Sequence, residues 1–140
     1  ALGQIGDPSD AKKISERFAH PADAVRQAAA AALAKMGPAA KGEIEKLLSS
    51  PDKKIRMLAA LAAAQSWDPE AARLAGKALS DPEADVRRSA VAALFAMQNA
   101  NQNVRDAFLG DFRRLAQEDP DISVRATVLR AVANISPVQE

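Results

Sequence analysis

A block of about 30 residues recurs along this chain, and that recurrence limits its fold more than any single residue does. Prolines stand at Pro21, Pro51, Pro82 and Pro120. Four residues after each comes a β-branched residue (Val25, Ile55, Val86, Val124), and the next is arginine every time: Arg26, Arg56, Arg87 and Arg125. Eleven after each proline is alanine (Ala32, Ala62, Ala93, Ala131). Fifteen after, Met36, Met97 and Ile135 are large and apolar, with Ser66 the exception. A second series, Pro8, Pro38 and Pro69, precedes the first three members by 13 residues each time. The period is thus 30, 31 and then 38 residues, the last interval carrying a polar insertion, "QNANQNVR", at Gln98 to Arg105.

Each block reads as two helices. Ala fills 33 of the 140 positions and aromatics only 4%, a composition for closely packed helices, and no run alternates with the period of a strand. Asp, Ser or His before proline supplies an N-cap, with proline at the first helical position. The first helix of a pair is short and buries Ile14 and Phe18, Ile44 and Leu48, or Ala75 and Leu79. The second is longer and more apolar, its first example burying Val25, Ala28, Ala29, Ala32, Leu33 and Met36. Gly6 and Gly37 stand where helices end. The expected spans are 8–19 with 22–36, 38–49 with 52–66, 69–80 with 83–98, and 101–118 with 121–135. A lone pair cannot bury its apolar faces, but a stack of pairs can. The fold expected is therefore an all-α solenoid, a superhelix of about four antiparallel helix pairs. As a single domain over 1–140 it divides into repeats at about 8–37, 38–67, 69–98 and 101–136. The opening "ALGQIG" (1–6) reads as the tail of a preceding helix, which marks the chain as a fragment of a larger protein or a processed one.

The four stretches "HPADAVRQAAAAALAKMG", "SPDKKIRMLAALAAA", "DPEADVRRSAVAALFAM" and "DPDISVRATVLRAVANI" closely resemble HEAT-like repeats of the phycobilin-lyase type, over residues 1 to about 135. The shared signature is an Asp-Pro turn, then Val-Arg, then Ala and Ala-Leu at helical spacing. The resemblance implies that each repeated arginine reaches the turn carboxylate or carbonyls of the adjacent unit. Ser50 and His20 replace the turn acid in two units, so a strict Asp–Arg pairing is not expected there. As to function, the resemblance raises the alternative of a subunit of a chromophore lyase or a related phycobiliprotein-handling protein.

The residues themselves point away from catalysis. There is no Cys and no Tyr, and the one histidine, His20, stands in the turn position that Asp81 and Asp119 occupy elsewhere. A helix-cap role outweighs a nucleophile system or a transition-metal site built on that one imidazole. The acid pairs Asp7/Asp10 and Asp119/Asp121 lack the ligand count of a calcium loop, and "GQIGDP" lacks the lysine of a phosphate cradle. No catalytic residue, metal or cofactor is expected. A net charge of +1 provides no nucleic-acid footprint, so a HEAT-like DNA-binding module ranks behind both other readings. No apolar run is long enough to span a membrane. The compartment stays open, with a soluble cytoplasmic protein favoured.

Subtracting the core stripe from each longer helix leaves an inner face at positions 6, 9, 10 and 13 after the proline. It holds Gln27, Ala30, Ala31 and Ala34; Met57, Ala60, Leu61 and Ala64; Arg88, Val91, Ala92 and Phe95; Ala126, Leu129, Arg130 and Ala133. Met57, Leu61, Arg88, Val91, Phe95, Leu129 and Arg130 are the candidate partner-binding residues, because exposed apolar patches bounded by charge mark partner surfaces. In the competing reading, tight curvature buries the apolar ones between neighbours. The function expected is a non-catalytic scaffold for a partner protein or another domain of the parent chain. Self-association through the uncapped N-terminal end is a further expectation.

Overall fold

The computed structural model describes residues 8–96 and 106–135. The helix tail expected at 1–6 and the insertion at 98–105 lie outside the described residues, as does Met97. Helix α1 (Pro8–Ser15) tightens into a 3-10 turn over Glu16–Ala19, followed by α2 (Asp23–Met36). A 3-10 turn, Gly37–Ala40, leads into α3 (Lys41–Leu47), and α4 spans Lys53–Gln65. Next come α5 (Pro69–Arg73) with a 3-10 continuation over Leu74–Ser80, α6 (Ala84–Ala96), α7 (Leu109–Glu118) and α8 (Ile122–Ile135). There is no strand among the described residues.

The helices form two layers. The longer α2, α4, α6 and α8 pack side by side in chain order, and the shorter α1, α3 and α5 do the same beneath them. Each element of the short layer also lies against a longer one: α1 on α2, α3 on α4, Leu74–Ser80 on both α4 and α6, and α7 on α8. This is the all-α solenoid expected from the repeat, with the core running unbroken between the layers.

Local chemistry sets the helix starts. Asp68 caps α5 by accepting the Ala71 N–H at 3.1 Å, with Pro69 at the first helical position. The longer helices begin differently from the cap expected for them. There the residue before the proline accepts the N–H two residues on: Ala22 to His20 Nδ1 (3.0 Å), Asp52 to Ser50 Oγ (3.1 Å), Glu83 to Asp81 Oδ1 (2.9 Å) and Asp121 to Asp119 Oδ1 (2.9 Å). That is the side-chain turn of Asx and Ser/Thr residues, and an imidazole nitrogen serves as well as a carboxylate. The N-cap is the residue after the proline, as at Asp52, which accepts the Lys54 N–H at 2.9 Å.

The buried stripe of the longer helices is wider than the periodicity predicts. In α2, α4 and α6, positions 8 and 12 after the proline are buried as expected, for example Leu33 and Leu94, whereas Ala28, expected in the core, is exposed. Positions 9 and 13 of these helices are buried too: Ala30 and Ala34, Ala60 and Ala64, Val91 and Phe95. Val91 and Phe95, candidates for an exposed partner surface, are therefore corrected to core residues, as the competing reading has it. A longer helix inside the stack touches a neighbour on each side as well as the short layer, so more than half its circumference is covered. Val91 is fully buried, and the Phe95 ring lies 4.4 Å from that of Phe112, centroid to centroid. Burial of such side chains stabilises by about 1.5–3 kcal/mol each.

Two glycines are required by close approach. Gly37 ends α2 with φ +63°, and a Cβ there would sit 2.2 Å from the indole of Trp67. Trp67 Nε1 donates to the Lys35 carbonyl at 2.9 Å, satisfying an acceptor at the helix end. Trp67, which stands in the turn before α5, thus staples the turn that follows α2. Gly76 likewise admits the ring of Phe108, which would lie 2.1 Å from a Cβ.

Candidate partner-binding surface

What remains uncovered on the longer helices is a narrow strip, and across α2, α4 and α6 it forms an open groove of about 570 Å³. Met57, Leu58 and Leu61 of α4 make its apolar floor. One wall is Asp23, Arg26 and Gln27 of α2, and the other is Ser89, Ala92, Ala93 and Ala96 of α6. Because the α6 wall toward its C-terminus is made of Ala92, Ala93 and Ala96, the larger Met57 and Leu61 stay partly exposed beside it. The polar groups gather at the N-terminal end, where Lys54 also lines the groove.

Of the residues singled out from sequence, the structure brings only Met57 and Leu61 together in this groove. Val91 and Phe95 are in the core. Leu129 and Arg130 are exposed on α8, outside the groove. Arg88 is engaged within the fold: it pairs with Asp85 and donates from Nη1 to Ser123 Oγ at 2.6 Å. Asp85 in turn binds Lys53 Nζ at 2.8 Å, so a chain of polar contacts crosses α4, α6 and α8. The hydrogen bonds from Lys53 and Arg88 hold the Asp85 carboxyl below its ordinary range, and the bond to Asp85 raises Lys53. The Ser123 hydroxyl and backbone N–H lower Asp121 in the same way. Sequence reasoning passed over Asp23, Lys54, Leu58 and Ser89 as groove residues. A helical wheel shows their phase, but not which neighbouring helices leave them uncovered.

The four repeated arginines form a separate, internal ladder. Arg56 reaches the next turn, binding Asp81 through Nε (2.7 Å) and Nη2 (3.1 Å), while Nη1 donates to the Ser50 carbonyl at 2.8 Å. Arg87 repeats this on Asp119 (2.7 and 2.9 Å) and on the Asp81 carbonyl at 2.9 Å. Bidentate geometry of this kind is the strongest a guanidinium makes. In the turn of the next unit Ser50 takes the acid's place, and Arg26 pairs with Asp23 of its own helix and donates to the His20 carbonyl at 2.6 Å. Arg125 donates to the Asp119 carbonyl. Burial alone would push the Asp119 carboxyl up. Arg87 and the Asp121 N–H outweigh it, and the carboxyl lies below its ordinary value. The hydrogen bonds to Asp81 and Asp119 raise Arg56 and Arg87.

No group of three or more potential metal ligands occurs among the described residues. His20 Nδ1 is occupied by the Ala22 N–H, in keeping with a turn role. No described helix is long and apolar enough to cross a membrane.

A family model of HEAT repeats matches residues 12–96, from within α1 to the end of α6. No curated protein matches the chain significantly.

Proposed function

Given that the chain belongs to the HEAT-repeat family, we propose that it is a protein-interaction scaffold that holds a partner in the groove across α2, α4 and α6. Repeats of this family generally mediate protein–protein interaction and are typically non-catalytic. The observation that carries the reading is the partly exposed pair Met57 and Leu61 on a floor bounded by the alanines of α6 on one side and Asp23, Arg26 and Gln27 of α2 on the other. Large flexible apolar side chains flanked by small ones accept an apolar anchor from a partner, and the charged rim orients it. A lyase would need acid–base groups at the groove. Among its lining residues Asp23 is the one carboxylate, and it is paired with Arg26. The same reading divides the chain into the four units at about 8–37, 38–67, 69–98 and 101–136.

The test compares proteins captured by the wild-type chain, by Leu61→Glu and by Glu45→Lys, the last on the exposed surface of α3. Leu61 is only half-buried, so Leu61→Glu is expected to lower the melting temperature by no more than a few degrees. The expected result is a partner retained by the wild type and by Glu45→Lys but lost by Leu61→Glu. Identical capture by all three rules out the groove as the contact surface.

A further inference from the structure

The outer face of α8 is built like a covered face but is not covered. Leu129 occupies the position of Ala30, Ala60 and Val91, all fully buried in helices that have a further longer helix beside them, yet it is 57% exposed. Val132 occupies the position of Leu33, Ala63 and Leu94, also fully buried, and is 37% exposed. Charge repeats the pattern. Arg56 and Arg87 each bind the following turn's carboxylate through Nε and Nη2. In Arg125, Nη1 holds the Asp119 carbonyl as its counterparts hold theirs, and Nε and Nη2 have no partner among the described residues. Nor does Arg125 have the substitute that Arg26 uses. Three residues before Arg26 stands Asp23, whereas three before Arg125 stands the exposed Ile122.

We infer that this face docks a further helix pair of the same architecture, one that carries a carboxylate in the residue ahead of its turn proline. The carboxylate closes the open fork of Arg125, and the pair's longer helix covers Leu129 and Val132. A second copy of this chain stacked head to tail does not meet the requirement. Its leading turn presents His20 in the acid's position, and an imidazole carries no negative charge with which to close the fork of a guanidinium.

The experiment extends the full chain by a copy of residues 101–140 after Glu140, which places Asp119 of the copy in the turn facing Arg125. The copy's own outer face duplicates the one it covers, so the extension leaves the apolar surface at the end of the stack unchanged. Amide exchange in α8 is expected to slow at least about 10-fold relative to the 140-residue chain, because local opening then requires undocking of the added pair. Asp119→Asn in the copy alone, and Arg125→Ala alone, should each remove most of that protection. A copy that stays unfolded, one that folds without slowing α8, or protection indifferent to both substitutions overturns the inference. So does sedimentation of the 140-residue chain as a dimer that Leu129→Glu dissolves, since the occupant would then be a second copy.

Discussion

The guanidinium of Arg87 and the carboxylate of Asp119 lie almost wholly inside the protein, their side chains 11% and 2% exposed. A pair in that setting is held by geometry, and removing one member strands the other charge. Asp119→Ala is therefore expected to cost about 3–5 kcal/mol in denaturant unfolding. Arg26→Ala loses one charge-assisted hydrogen bond and an exposed pair, about 1–2 kcal/mol. Equal losses from the two would show that the bidentate contact adds nothing. The carboxyl's lowered value also sets a pH dependence. The unfolded carboxyl takes up its proton first, near pH 3.9, so the stabilisation is complete above that and lost as pH falls through the lower folded value. As pH falls below about 4 the wild type should lose stability more steeply than Asp119→Asn. Arg56 and Arg87 are raised and stay charged throughout that window.

Among the elements, α2 has the most demanding terminus. Its last turn needs a residue at φ +63°, and the indole of Trp67 leaves no room for a side chain there. Gly37→Ala combines an unfavourable backbone conformation with a clash, and it is expected to cost on the order of 1–3 kcal/mol. The readouts are the melting temperature and the emission of Trp67, the one tryptophan, which should shift as the ring leaves the Lys35 carbonyl. Unchanged emission would mean that the indole does not hold the turn. Both elements of this contact are visible in the sequence, as a helix-ending glycine and a lone tryptophan. They stand 30 residues apart, and no local pattern links them.

Across the whole molecule, cohesion rises toward the middle of the stack. Helix α4 is flanked by α2 and α6 and underlain by α3, α5 and Leu74–Ser80, while among the described residues α8 packs mainly on α6 and α7. Contacts only between neighbours make stability a sum of local terms and interfaces. Hydrogen exchange is therefore expected to be slowest in α4 and its neighbour α6, and at least about 10-fold faster in α8. Uniform protection along the chain would indicate a single cooperative unit instead. The groove sits over this best-anchored part of the stack, with Met57 and Leu61 both on α4.

The repeat by itself determined the helices, their pairing and the stacking. Each follows from short-range chemistry that recurs in register: a turn former, a proline, a β-branched residue and an arginine. The ladder was half legible, since the turn positions show where an acid faces an arginine and where Ser50 or His20 breaks the series. Only the tertiary structure decided which face of each longer helix meets water. In helices this rich in alanine, hydrophobic periodicity barely separates the faces, and coverage depends on neighbours that no single helix records. For that reason the sequence leaves both surface and core open to Val91 and Phe95, and their burial is a property of the stack. Lys54, Leu58 and Ser89 became groove residues by the same route, through what the adjacent helices leave open.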